Sequence, residues 1–94
     1  IEIKGPHPSL LDTKAVILIH RGTPQEAVPL LKAAISAFEP DPRYGFHLAL
    51  AYYRTKELSK AREQLQNAIE NELNLRVLSP LEQELLEEMK TALL

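Results

Sequence analysis

The feature that most constrains this 94-residue chain is an echo of itself at an offset of 34. Pro8 is matched by Pro42, Ala15 by Ala49, Ala27 by Ala61, Leu31 by Leu65, Ala34 by Ala68 and Ile35 by Ile69. Leu10, Val16 and Leu18 meet Tyr44, Leu50 and Tyr52. Identity or like-for-like apolar exchange at so many positions marks an internal repeat. A unit of this length cannot bury its apolar face alone, so it folds by stacking on its neighbour.

Each unit divides into two helices around a turn. The first helix runs from Pro8 to His20, with two candidate starts: a Ser9/Asp12 capping box, or Pro8 as the first helical residue. Its run Ala15 to Ile19 is rich in β-branched residues and reads as strand on propensity alone. The counterpart segment at 47–53, HLALAYY, has helical spacing instead, and equivalent segments fold alike. Arg21-Gly22 ends this helix, and Thr23-Pro24-Gln25-Glu26 opens the next with a capping hydroxyl and Pro at the first position. Ala27, Leu30, Leu31, Ala34, Ile35 and Phe38 follow at three- and four-residue spacing, with Pro29 as a potential bend. Glu39-Pro40-Asp41-Pro42 turns the chain, with Asp41 capping a third helix over 42–55. A fourth covers about 57–72, with Leu58, Ala61, Leu65, Ala68 and Ile69 as its stripe. Ser79-Pro80-Leu81-Glu82 repeats the start signal. Leu81, Leu85, Leu86, Met89, Ala92 and Leu93 form one apolar stripe opposite Glu82, Glu84, Glu87 and Glu88.

The expected organisation is a tail or linker at 1–7, two repeat units at about 8–41 and 42–75 with a connector to 78, and an amphipathic capping helix at 79–94. Composition agrees: 45% hydrophobic residues and three glycines suit a folded helical domain. The absence of cysteine removes disulfides and thiolate zinc sites without identifying a compartment. The net charge of −2 gives no basic footprint for nucleic acid, and no apolar run is long enough to cross a membrane.

The 34-residue helix–turn–helix unit resembles the tetratricopeptide repeat (TPR). Leu48, Ala49, Tyr52, Ala61, Leu65 and Ala68 carry the likeness in the second unit, with small residues where helices approach and large ones where they interlock. Three positions depart from the pattern: Gly45 stands where the family has an aromatic, Lys56 where it has a turn glycine, and Lys14 in the first unit where a large apolar residue is usual. The resemblance implies an all-α right-handed solenoid of two hairpins closed by a capping helix. Segments 10–31 and 41–61 are also similar to the C-terminal repeats of bacterial multi-repeat TPR proteins, which implies a C-terminal portion of a longer array.

Helix 42–55 carries two apolar sets at helical spacing. Tyr44, Leu48, Ala51 and Tyr52 face the partner helices. Phe46, Leu50 and Tyr53 form a second set, matched by Asp12, Val16 and Ile19 in the first unit. By resemblance the second set lines the concave groove where TPR arrays hold peptides. Val16, Ile19, His20, Phe46, His47, Leu50, Tyr53 and Arg54 are therefore the expected partner-binding residues, for a protein or peptide ligand anchored by apolar side chains. The competing expectations are that residues 73–94 cover this face, or that a homo-oligomer does. The family's grip on a terminal carboxylate is not supported, because Asp12, Val16, His47, Val77 and Leu81 occupy its positions.

No enzymatic chemistry is expected. His7, His20 and His47 lack metal-ligand spacing with no Cys or close carboxylate to complete a site, and neither a nucleophile elbow nor a phosphate loop is present. No cofactor is implied. His20 and His47 are expected at the same groove edge, and the four glutamates on one solvated face.

Overall fold

The computed structural model describes residues 7–36, 41–71, 73 and 78–94. Residues 1–6 of the expected 1–7 tail, Phe38, the Glu39-Pro40 turn, Glu72 and the connector residues 74–77 lie outside the described residues. Among the described residues the chain forms five helices: α1 (Pro8–His20), α2 (Pro24–Ile35), α3 (Pro42–Arg54), α4 (Leu58–Glu70) and α5 (Pro80–Leu93). The β-branched run in α1 is helical, as its repeat counterpart required.

Four of the five helices place Pro in the first turn, where its missing N–H costs nothing. Their caps differ. At α1 the second reading of the start holds: Pro8 leads the helix, and the His7 ring Nδ1 accepts from the Ser9 N–H. Asp41 accepts from the Arg43 N–H at 2.9 Å and also binds the Arg43 guanidinium, which holds its carboxyl below the usual range. Thr23 departs from expectation. It occupies the cap position of α2, but its hydroxyl turns back to donate to the Leu18 carbonyl at 3.1 Å. The reason is the preceding turn, which already draws the Thr23 N–H onto the same carbonyl.

Both hairpin turns close alike. Gly22 follows α1 with φ +90°, and the N–H groups of Gly22 and Thr23 reach back to Ile19 and Leu18. Thirty-four residues on, Lys56 takes the same place with φ +66°, and the N–H groups of Lys56 and Glu57 reach Tyr53 and Tyr52. The repeat is conserved in backbone geometry even where glycine is replaced.

Consecutive helices pack pairwise, α1 on α2, α2 on α3 and α3 on α4, with α1 also touching α3 and α5 lying on α3 and α4. The result is a short helical-repeat solenoid with extents of 44 × 27 × 24 Å. Small residues sit where the hairpins close: Ala15, Ala27, Ala49, Ala51 and Ala61 are fully buried. Around them Ile19, Leu31, Phe46, Leu48, Leu65, Leu86 and Met89 form one continuous core. Each such side chain contributes about 1.5–3 kcal/mol relative to exposure. Gly45 stands against Ala68, where a Cβ would lie 3.6 Å from the Ala68 Cβ, an ordinary contact. With no side chain there, a recess of about 440 Å³ opens between Ile35, Pro42, Gln64 and Asn71.

Candidate functional site

Helix α3 sits at the centre of the stack. Seven consecutive residues, Phe46 to Tyr52, are buried, so the helix is enclosed on every side along its middle two turns. That resolves the question posed by its two apolar sets. Both are packed within the chain, one against the hairpin helices and the other in the core that α5 completes with Leu86 and Met89. Phe46 and Leu50 are 0% and 3% exposed. The expected cover by the C-terminal segment is present.

The expected binding residues therefore divide. Ile19, Phe46, His47 and Leu50 are buried and make a floor. Val16 and Tyr53 are half-buried at its edge, whereas His20 and Arg54 are exposed. Leu81, at 55% exposure, stands clear of the stripe assigned to α5, and Leu85 beside it is half-buried. Sequence reading placed Leu81 with the buried residues. The boundary is shifted because Leu86 and Met89 set the buried direction, and Leu81 lies well round the helix from them.

At the heart of this face is a buried polar cluster. The His47 ring lies between two carboxylates: Nδ1 is 2.6 Å from Asp12 Oδ1 on α1, and Nε2 is 2.6 Å from Glu82 Oε2 on α5. His47 is 5% exposed and its ring is tilted against Phe46, with centroids 5.4 Å apart. Burial by itself pulls the imidazole pKa down. Hydrogen bonds and charge from Asp12, then Glu82, outweigh it, so the pKa lies above the ordinary 6.5. Glu82 is held below the usual carboxylate range: burial opposes this, and the bonds from His47 and the Ser79 N–H prevail. Its second oxygen accepts from Ser79 N at 3.1 Å while its own N–H donates to Ser79 Oγ at 3.2 Å, a complete capping box.

Two expectations change here. His47 does have close carboxylate partners, drawn from positions 35 residues away in each direction. Glu82 leaves the solvated acidic face and works inside the stack. His20 is exposed, whereas His47 is buried and pairs with Asp12, two helical turns before His20 on α1. The signal for the cluster was its spacing: 12, 47 and 82 are equally separated, one position per stacked helix. The two carboxylates lie on opposite ring nitrogens and do not converge on a point. Among the described residues, no group of three or more His, Asp or Glu side chains has the arrangement of a metal site.

At the other end of the face, the Tyr53 phenol is shifted upward, first by desolvation and then by the neighbouring Glu88 carboxylate. The cluster joins the three helices that bear these residues. Asp12, His47 and Glu82 all lie in the first half of their helices.

Two helical hairpins of this register, stacked with small residues at the crossings, define a helical-repeat protein. The sequence profile of the tetratricopeptide repeat matches residues 18–79, most of the chain, and the protein belongs to that family. No curated protein and no solved structure gives a significant match. Membership supports a general role as a protein–protein interaction module. Among the described residues, no helix is long and apolar enough to cross a membrane.

Proposed function

We propose that the chain holds a peptide or partner helix on the face shared by α1, α3 and α5. Val16, His20, Tyr53 and Arg54 make the contacts, above a floor of Ile19, Phe46, His47 and Leu50. Leu81 and Leu85 of α5 supply a third wall. The observation that carries this reading is the alignment of three helices through His47, which turns three separate surfaces into one continuous strip. Accessible apolar side chains along that strip, Val16, Tyr53, Leu81 and Leu85, suit an apolar anchor, and Arg54 suits an acidic residue beside it.

The test uses a peptide selected by display on the intact chain and measured by calorimetry. Val16→Asp and Tyr53→Ala are each expected to weaken it about tenfold or more, a loss of roughly 1.4 kcal/mol. Leu58→Ala, an exposed site on α4, serves as the control and leaves binding unchanged. Binding that survives both face variants and falls with the α4 control overturns the assignment.

One observation favours a second reading, that of an end-piece in a longer scaffold or a self-associating module. Leu10 and Ile17 on α1 are 64% and 49% exposed, although the repeat equivalent of Ile17, Ala51, is fully buried. Among the described residues no helix covers that face of α1 as α2 covers α3. Sedimentation at increasing concentration separates the readings: self-association removed by Ile17→Glu supports the second, and a monomer throughout leaves the first.

A further inference from the structure

A single proton decides whether the contacts of His47 can coexist. A neutral imidazole has one N–H and one lone pair, so it donates to one carboxylate only; an imidazolium donates to both. With both nitrogens 2.6 Å from carboxylate oxygens, the observed arrangement is that of the charged ring. When the proton leaves, one nitrogen presents a lone pair to a carboxylate, and that contact breaks.

The two carboxylates are not equally bound. Asp12 belongs to α1, which is packed closely on α2 and also touches α3. Glu82 lies in the first turn of α5, which is packed more lightly, and its side chain is more exposed than that of Asp12, 24% against 16%. It also has somewhere to go, because its other oxygen is already held by Ser79 within its own helix. The remaining proton therefore stays on Nδ1 with Asp12, and the contact to α5 is the one that opens.

We propose that Asp12, His47 and Glu82 form a proton-operated latch that clamps the start of α5 onto α3 when charged and releases it when neutral, loosening the cover over Phe46 and Leu50. The latch deepens the functional reading above and rests on it for one consequence only. Because α5 is a wall of the binding face, the face changes shape as the latch opens.

The surrounding charges favour this behaviour. Besides Asp12 from α1 and Glu82 from α5, the N-cap Asp41 of α3 also senses the ring, with its own charge matched by Arg43. From α2 and α4 the buried residues are apolar, namely Ala27, Leu31 and Ala34 on one and Ala61, Leu65 and Ala68 on the other. The charged residues Glu26, Lys32, Lys60, Arg62, Glu63 and Glu70 of those helices are all exposed. His47 thus answers chiefly to the two carboxylates that it joins.

The sign follows from proton counting. Seated α5 retains the proton over an interval of pH where released α5 has lost it; Asp12 pulls on the ring in both states, so the contribution of Glu82 sets the width of that interval. Seating is independent of pH below that interval while Glu82 stays ionised, and weakens within it by up to about tenfold per pH unit.

Hydrogen exchange of α5 amides, corrected for the intrinsic effect of pH and compared with α3, reads the latch without any partner. In the unmodified chain α5 protection is expected to fall through the His47 transition, followed in the same sample by the ring resonances, while α3 stays protected. Asp12→Asn lets the neutral ring keep Nε2–H on Glu82, so α5 stays seated at high pH. Glu82→Gln can accept from or donate to Nε2, so its α5 protection also loses the pH dependence. Protection of α5 that is flat across the His47 transition, or a dependence unchanged in both variants, overturns the latch. Because no ligand enters the measurement, failure here leaves the binding face to its own test.

Discussion

At the residue scale the most instructive positions are those where this chain departs from its family's pattern. Lys56 holds a left-handed φ of 66° in a turn built for glycine. A side chain there costs roughly 1–2 kcal/mol, whereas glycine returns part of that through its freer unfolded state. Lys56→Gly is therefore expected to stabilise the chain by about 0.5–1 kcal/mol, visible as a rise of several degrees in the thermal midpoint. Gly45 is the opposite case: a missing aromatic lets α4 come close at Ala68 and leaves the recess beside Ile35 and Pro42. His47 is a third kind of departure. A histidine alone on an apolar helix gives no sign of its partners, since neither Asp12 nor Glu82 is near it in sequence. Only the stacking of α1, α3 and α5 brings them together.

At the scale of the helix, termini decide more than propensities. α5 begins with a capping box whose glutamate also reaches His47, so its start is fixed twice, once within the helix and once to the stack. Ser79→Ala removes the hydroxyl acceptor for the Glu82 N–H and is expected to cost about 1 kcal/mol. The loss should appear first as faster exchange of the α5 amides, with α1 to α4 little affected, because α5 is packed more lightly than those helices are on one another. The same change at Thr23 is expected to do less, since its hydroxyl serves the end of α1 and makes no cap bond to α2. Two start signals that look alike in sequence thus do different work, and the difference lies in the turn preceding each.

At the scale of the whole molecule, the chain is a stack whose last helix completes the core. Leu86 is 1% exposed and belongs to the same cluster as Phe46 and Leu50. Leu86→Ala is expected to destabilise the chain by about 2–5 kcal/mol, measured as a shift in the urea midpoint. For a domain of this size that is a large share of total stability. The repeat made the five helices, their order and most of the core legible in the sequence, because spacing at 34 residues fixes which positions are equivalent. It left open the coverage of α3, because an apolar face looks the same whether its occupant comes from the same chain or another. The contact between His47 and its carboxylates was hidden for a related reason: its spacing of 35 falls one residue off the period of the apolar pattern. That spacing has a consequence for the order of assembly. Two similar hairpins offer the folding chain a choice of arrangements, including exchange between α1 and α3. The sequence of charge at this level, negative on α1, positive on α3, negative on α5, works as an address on each helix. Exchanging α3 with α1 or with α5 sets two carboxylates side by side and strands the imidazolium at an end, so the charges favour α3 at the centre of the stack.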